Sequence, residues 1–253
     1  YHDVLNKTDG TPSSRLGYPM HFSPDGKSLF FTDNELGDPN LVMMDMDSGD
    51  VTILSEIFTD LWFDMNPAGD TLVFVKKIGH GTAIFSLPLD SSAAAIRLSY
   101  ETDPRNPVFS VDGSLVVYTA RDMFGSKNLY TIQPDGSAYK KVTSFNDPAD
   151  AVVPVGITTL EPSILYVMPS QTIKNQFEIW SINLDGSSDQ FLTVCTLEAD
   201  DRPRISPNGE KVLYQRDHNL WIMNIDGSEQ VRLTDLPSEH LAYHGQYSPS
   251  GSH

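Results

Sequence analysis

Two turn signals alternate along the chain, each returning about every 40 residues, and this repetition restricts the fold more than any other feature. The first is Phe22-Ser-Pro-Asp-Gly26, echoed by Met65-Asn-Pro-Ala-Gly69, Phe109-Ser-Val-Asp-Gly113, Ile205-Ser-Pro-Asn-Gly209 and Tyr247-Ser-Pro-Ser-Gly251. Successive glycines lie 43, 44, 96 and 42 positions apart, so the long interval conceals a degenerate sixth copy, placed at Leu160-Glu-Pro-Ser163. The second signal runs Thr8-Asp-Gly10, Asp47-Ser-Gly49, Leu89-Asp-Ser91, Pro134-Asp-Gly136, Leu184-Asp-Gly186 and Ile225-Asp-Gly227. Proline fixes φ and glycine supplies positive φ, which is what tight hairpins demand.

Between the signals lie short runs rich in β-branched and aromatic residues, such as Ser28-Leu-Phe-Phe-Thr32, Leu115-Val-Val-Tyr-Thr119 and Asn128-Leu-Tyr-Thr-Ile132. They are too short for helices and read as strands. Each period therefore holds four strands, a to d, with the first signal joining a to b and the second joining c to d. Six such units around a channel give an all-β, six-bladed β-propeller, a closure that leaves no long free sheet edge.

One domain is expected over residues 1–253, with whole blades at 17–56, 57–99, 100–143, 144–193 and 194–234. The remaining blade is split: residues 1–16 supply its strands c and d, and 235–253 its strand a. Its strand b is missing after His253, so the expectation is a piece of a longer chain, with a strand supplied by another molecule as the alternative. Tyr1 is followed by no charged-then-apolar signal segment, which fits a mature or excised piece.

Composition sharpens the partner classes. The chain carries 34 acidic and 17 basic side chains, a formal charge of −17, and no basic stripe interleaved with aromatics. Such a surface repels phosphate backbones, so no nucleic-acid partner is expected. No apolar run approaches the length that spans a bilayer, so no membrane insertion is expected. The single cysteine, Cys195, has no disulfide partner and reads as a buried structural thiol.

Phe22-Ser-Pro-Asp-Gly-Lys-Ser-Leu-Phe-Phe31 followed by Asn40-Leu-Val-Met-Met-Asp-Met-Asp-Ser-Gly49 resembles the blade repeat of the TolB-like propellers, and the likeness runs over essentially the whole chain. The resemblance implies a periplasmic or cell-surface domain of a bacterial protein, often built for protein contact, as TolB is with colicins and a peptidoglycan-associated lipoprotein. The preceding α/β domain of TolB is absent from this sequence. The same blades occur in sensor domains, in oligogalacturonate lyases and in prolyl-oligopeptidase-type peptidases.

Within each strand a, the residue four before the turn glycine is apolar, and alternation turns the residues five and seven before it toward the channel. Those positions place His21, Trp62, Asp64, Asn106, Arg202, Arg204, His244 and Gln246 as candidate ligand-binding residues. Arg202 and Arg204 beside His244, Gln246 and His21 gather donors and positive charge on one side, where the guanidinium fork suits a carboxylate, an acidic sugar or another small anion. The alternative is that these arginines pair with Asp200, Asp201 and Asp64 and join blades. A metal site from His240, His244 and Gln246 with His21 or His218 is a lesser option, and resemblance to oligogalacturonate lyases adds to it.

The acidic run Asp45, Asp47, Asp50 and Glu56 is explained by turn chemistry rather than by calcium. No Gly-x-Ser-x-Gly elbow, phosphate loop or dinucleotide fingerprint is present, so no cofactor and no covalent catalysis are expected. The loops joining b to c vary from blade to blade, as recognition loops do: Asp33–Asn40, Lys76–His80, Arg121–Lys127, Gln171–Asn175 and Arg216–Asn219. Met123 and Phe124, an apolar pair flanked by charges, read either as a protein-contact anchor or as packing against a neighbouring loop. The function expected is a non-catalytic binding domain for a protein, peptide or small anion. The alternatives are a metal-assisted oligogalacturonate-type lyase and a periplasmic sensor domain of a larger regulator.

Overall fold

A computed structural model describes residues 16–33, 40–55, 62–90, 94–146, 152–158, 162–174, 176–197, 202–237, 245 and 247. These residues contain strands, turns and bends but no helix. The first four-stranded sheet is β1 (Leu16–Phe22), β2 (Ser28–Asp33), β3 (Asn40–Asp45) and β4 (Val51–Ser55), paired in that order. The second is β5 (Phe63–Met65), β6 (Thr71–Ile78), β7 (Gly81–Pro88) and β8 (Ile96–Arg97), and the third is β9 (Thr102–Phe109), β10 (Val116–Arg121), β11 (Lys127–Ile132) and β12 (Lys140–Lys141). The fourth is β13 (Val153–Ile157), β14 (Ser163–Pro169), β15 (Phe177–Asn183) and β16 (Gln190–Cys195), and the fifth β17 (Arg204–Ile205), β18 (Lys211–Arg216), β19 (Asn219–Asn224) and β20 (Val231–Arg232). Every sheet joins its strands in chain order, the meander that hairpin turns dictate. The residues expected to form the split blade lie outside the described ones, apart from Leu16, Asp235, Leu236, Pro237, Gly245 and Tyr247.

The repeated turns do what their residues allow. In the first, Ser23 Oγ donates to Asp25 at 2.6 Å and accepts from the Ser28 N–H at 2.9 Å, while Gly26 N–H closes the turn on the Ser23 carbonyl with φ +71°. Ser110 with Asp112 and Ser206 with Asn208 repeat the arrangement at 2.5 and 2.6 Å. In the degenerate copy Thr158 stands in for the serine: its N–H donates to the Ser163 carbonyl at 3.0 Å and its Oγ1 accepts from the Ser163 N–H at 3.3 Å. The hydroxyl five residues before the second strand is thus kept although Pro-Asp-Gly is lost. At the second signal Asp45 accepts the N–H groups of Asp47 and Ser48, and Asp185 and Asp226 accept those of Ser187 and Ser228. These carboxylates are consumed by turns, as their recurrence suggests.

The chain divides into two compact units, Tyr1–Pro107 with Pro134–Gly136, and Val108–Gln133 with Ser137–His253. In the first, Phe30, Leu41, Phe63, Leu72 and Phe74 form one cluster and Leu29, Phe31, Val42 and Met44 another. The second unit packs Val117, Leu129, Ile157, Ile164 and Tyr166 in one cluster and Leu165, Val167, Ile179, Val212 and Tyr214 in the next. Strand b is buried on both faces because it lies between a and c and between adjoining sheets, which explains its unbroken apolar run. Within the units the innermost strands neighbour one another, β1 beside β5 and β13 beside β17.

Three departures from the expected pattern matter for the site. The pairing of β1 with β2 shifts between Gly17 and His21, and that of β13 with β14 shifts between Pro154 and Gly156, so both inner strands carry bulges. In β9, Asp103 and Asn106 adopt positive φ, 51° and 54°. Strict alternation therefore does not connect the residues seven and five before the glycine in these strands. Lastly, Phe22 is 60% exposed although its counterparts Phe109 and Ile157 are 5% and 2% exposed. An apolar residue at this position is thus not always an inward one.

Candidate functional site

In the first unit the structure brings two expected residues together. His21, on β1 after the bulge, places Nε2 3.7 Å from Asp64 Oδ1 on β5, and its ring lies 5.1 Å from that of Phe63. Asp64 therefore has a neighbour other than the arginines considered for it. Trp62 is half-buried just before β5, and Asn106 is buried on β9, held in a left-handed conformation that asparagine tolerates better than most residues.

In the second unit Arg202 and Arg204 are both half-buried at the entry to β17. The Arg204 Nε is shielded from solvent and has no hydrogen-bond partner among the described residues. A shielded guanidinium N–H calls for an acceptor. The Tyr247 hydroxyl is likewise shielded and without a partner among the described residues, and burial pushes its pKa up to about 12. His244, Gln246, His240, Asp200 and Asp201 lie outside the described residues. Among the described residues no group of three His, Cys, Asp or Glu side chains is placed to hold a metal.

Two of the loops between strands b and c are shorter than the sequence suggests. Lys76 and Lys77 lie within β6, paired with Ala83 and Thr82, which leaves only Gly79 and His80 as that loop. Arg216 and Asn219 pair with each other, so Asp217 and His218 alone turn the chain, both at positive φ, 49° and 65°. Two non-glycine residues there are a local strain that the hairpin overrides. Arg216 explains part of this: its guanidinium lies 3.6 Å from the Trp221 ring centroid and donates to Gln230 Oε1 at 3.0 Å.

Met123 and Phe124 do not pack against a neighbouring loop; they are 89% and 85% exposed. Their turn is nevertheless tightly fixed. Asp122 accepts the N–H groups of Phe124 and Ser126 at 3.0 and 3.1 Å and the Lys141 ammonium at 2.9 Å, and Arg121 donates to the Gly125 carbonyl at 2.8 Å. The Lys141 bond, followed by those N–H groups, holds the Asp122 carboxyl below its ordinary value.

One set of side chains carries a role that the sequence reading left out. Asn128, fully buried at the start of β11, accepts from the Thr143 hydroxyl at 3.0 Å and the Phe145 N–H at 2.7 Å, and donates to the Ser126 carbonyl and Asp122 Oδ2, each at 3.2 Å. Asn219 in the fifth sheet accepts from the Thr234 hydroxyl at 3.0 Å and the Leu236 N–H at 2.9 Å. The asparagine opening strand c thus ties down the segment that leaves strand d. Its signal is an Asn-Leu pair followed 15 residues later by the hydroxyl residue of Val-Thr or Leu-Thr.

The Asn128 tie bounds a cavity of about 370 Å³ between the segment leaving β12 and the loop leaving β14. Its apolar lining is Phe145, Val152, Met168 and Pro169; its polar lining is Asn146, Ser170 and Gln171. Cys195 ends β16, is 1% exposed, and burial together with the nearby Glu178 pushes its thiol up to about 12, as a structural thiol requires.

No protein-family model and no curated protein matches the chain. Solved structures do. The TolB of Acinetobacter baumannii superposes with a TM-score of 0.64 at 20% identity, over 89% of this chain and 57% of that one. A putative TolB from Agrobacterium tumefaciens gives 0.65 at 21% identity, over 89% of this chain and 83% of that one. An oligogalacturonate lyase in complex with manganese gives 0.62 at 14% identity, over 95% and 73%. The chain therefore has the all-β propeller fold of the TolB-type proteins.

Proposed function

We propose that this propeller is a non-catalytic binding domain of the periplasm or cell surface that recognises a protein or peptide with the loops between strands b and c. The observation that supports this is Met123-Phe124, an apolar pair exposed at the tip of a turn whose backbone is fixed by Asp122, Lys141 and Arg121. A fixed apolar anchor loses little conformational freedom on binding, which favours association. The likeness to TolB-type propellers, whose family includes protein-contact domains, points the same way.

Selection of a displayed random-peptide library on the purified domain tests this. Binders should lose about 2 kcal/mol, roughly 30-fold in Kd, when Met123→Ser and Phe124→Ser are combined, because truncated apolar anchors cost that much. Circular dichroism should be unchanged. Binders indifferent to the double substitution would overturn the reading.

The Arg204 Nε, without a hydrogen-bond partner among the described residues, supports a second reading, a small carboxylate or acidic sugar held by Arg202 and Arg204 with His244 and Gln246. A metal-assisted lyase is its catalytic form, in keeping with the fold shared with the manganese-bound lyase. Titration with oligogalacturonate, with and without Mn²⁺, decides between the forms: heat of binding lost in Arg204→Gln without unsaturated product supports the anion site. Product formation favours the lyase, and absence of binding removes both.

A further inference from the structure

The cavity beside β14 is a preformed site that neither the fold nor its neighbours assign. Its volume, about 370 Å³, falls near the lower end of the roughly 300–1,000 Å³ of ligand pockets. That suits one ring or branched side chain, not a nucleotide or an oligosaccharide. Among the described residues no ionisable side chain lines it, in a chain with 51 acidic and basic residues, so an ionic occupant finds no counter-charge among them.

Both walls are held in place before anything binds. On one side the Phe145 N–H is bonded to Asn128. On the other, Ser170 Oγ donates to Glu178 Oε1 at 2.7 Å and accepts from the Thr172 and Ile173 N–H groups, while the Ser170 N–H donates to the Gln176 carbonyl at 2.9 Å. Ser170 is thereby consumed as a wall fastener. Asn146 and Gln171, both exposed, leave two carboxamides at the mouth. A carboxamide offers a donor and an acceptor side by side, the complement of a peptide group.

The cavity also lies close to the apolar turn. The Asn128 carboxamide joins them: its Nδ2 is 3.2 Å from Asp122, which fixes Met123 and Phe124, and its Oδ1 is 2.7 Å from the Phe145 N of the cavity wall.

We infer that the cavity takes one uncharged aromatic or branched side chain of a partner peptide, whose adjoining main-chain amides bond to Asn146 and Gln171. This deepens the peptide-binding reading and rests on it. The partner crosses the Met123-Phe124 tip and inserts its next apolar side chain beside Met168.

The probe is N-acetyl-L-phenylalaninamide, added to the full chain labelled with ¹³C at its methionine methyls. The Met168 signal should shift saturably, and N-acetyl-L-aspartic acid amide should leave it in place. Val152→Trp fills the floor and Gln171→Trp the mouth; the second alters an exposed residue, so it tests the site even if the first fails to fold. Each should weaken the phenylalanyl shift at least about tenfold, the loss expected when an apolar group is excluded from its pocket.

Met123→Ser with Phe124→Ser should leave the probe's affinity unchanged, which separates this inference from the peptide reading. An unmoved Met168 signal, an equal response to the aspartyl probe, or an undiminished shift in Gln171→Trp overturns the cavity assignment. Selected peptides that still depend on Met123 and Phe124 would then leave the broader reading standing.

Discussion

Asn128→Ala removes the side chain on which the third sheet, the Met123-Phe124 turn and the cavity wall all depend. The Phe145 N–H and the Thr143 hydroxyl proton both lose their acceptor, while Thr143 Oγ1 can still accept from the Leu129 N–H at 2.9 Å. Each orphaned buried polar group costs about 1–3 kcal/mol, so the pair, one of them only partly buried, should cost about 2–4 kcal/mol. For a chain of this size that lowers Tm by roughly 4–16 °C, at about 2–4 °C per kcal/mol. Asn219→Ala, which breaks the same arrangement in the fifth sheet, should cost a similar amount, and the double variant should approach the sum. Differential scanning calorimetry of the three variants measures this. Losses under about 1 kcal/mol at both sites would refute the assignment of these asparagines as ties, since a solvent-screened hydrogen bond is worth no more than that.

Gly186→Ala brings a Cβ to 2.5 Å from the Val142 carbonyl oxygen at φ +90°, whereas Gly49→Ala meets nothing within 4 Å at φ +78°. The second should cost only the left-handed penalty of about 1–2 kcal/mol and the first clearly more; equal shifts in Tm would refute the close approach. Asp25, Asp112, Asp185 and Asp226 are held below the ordinary 3.8 first by serine hydroxyls, and Asp45 first by the Ser48 N–H. Because their folded pKa values are depressed, their stabilisation is complete above the unfolded value and is lost as pH falls through the folded ones. Tm should therefore be flat above about pH 5 and fall below about pH 4, and a constant Tm through acid would contradict the turn bonding. Cys195 should resist a thiol reagent until the chain unfolds; rapid labelling of the native protein would contradict its burial.

The turns were legible because their chemistry is local. A serine hydroxyl, an aspartate two residues on and a glycine at positive φ act within five residues, and the degenerate copy keeps the hydroxyl of this set, in Thr158, bonded to the Ser163 N–H. Side-chain direction in the inner strands was not, because it depends on pairing. Two bulges and the positive φ of Asp103 and Asn106 shift residues that simple alternation would align; Gly17 and Pro19 in β1, and Pro154 and Gly156 in β13, mark the bulges only once these segments are known to be strands. Loop length failed for a related reason: Lys76 and Lys77 are polar and read as loop, yet β6 and β7 continue their ladder to Ile78 and Gly81.

The Asn128 tie lies between these cases. Its 15-residue spacing to Thr143 recurs from Asn219 to Thr234 and from Asn40 to Ser55, so it was written in the sequence but is meaningful only once strands c and d are known to be neighbours. The cavity goes one step further. Phe145 follows β12, and Met168 and Pro169 end β14, and in sequence each reads as core or as strand end. They become walls because Asn128 draws the Phe145 backbone to one side and Ser170 pins the other, leaving between them a space that their own side chains do not fill. The proposed recognition surfaces thus rest on polar residues beneath them, and Asn128→Ala should loosen both the apolar turn and the cavity wall at once.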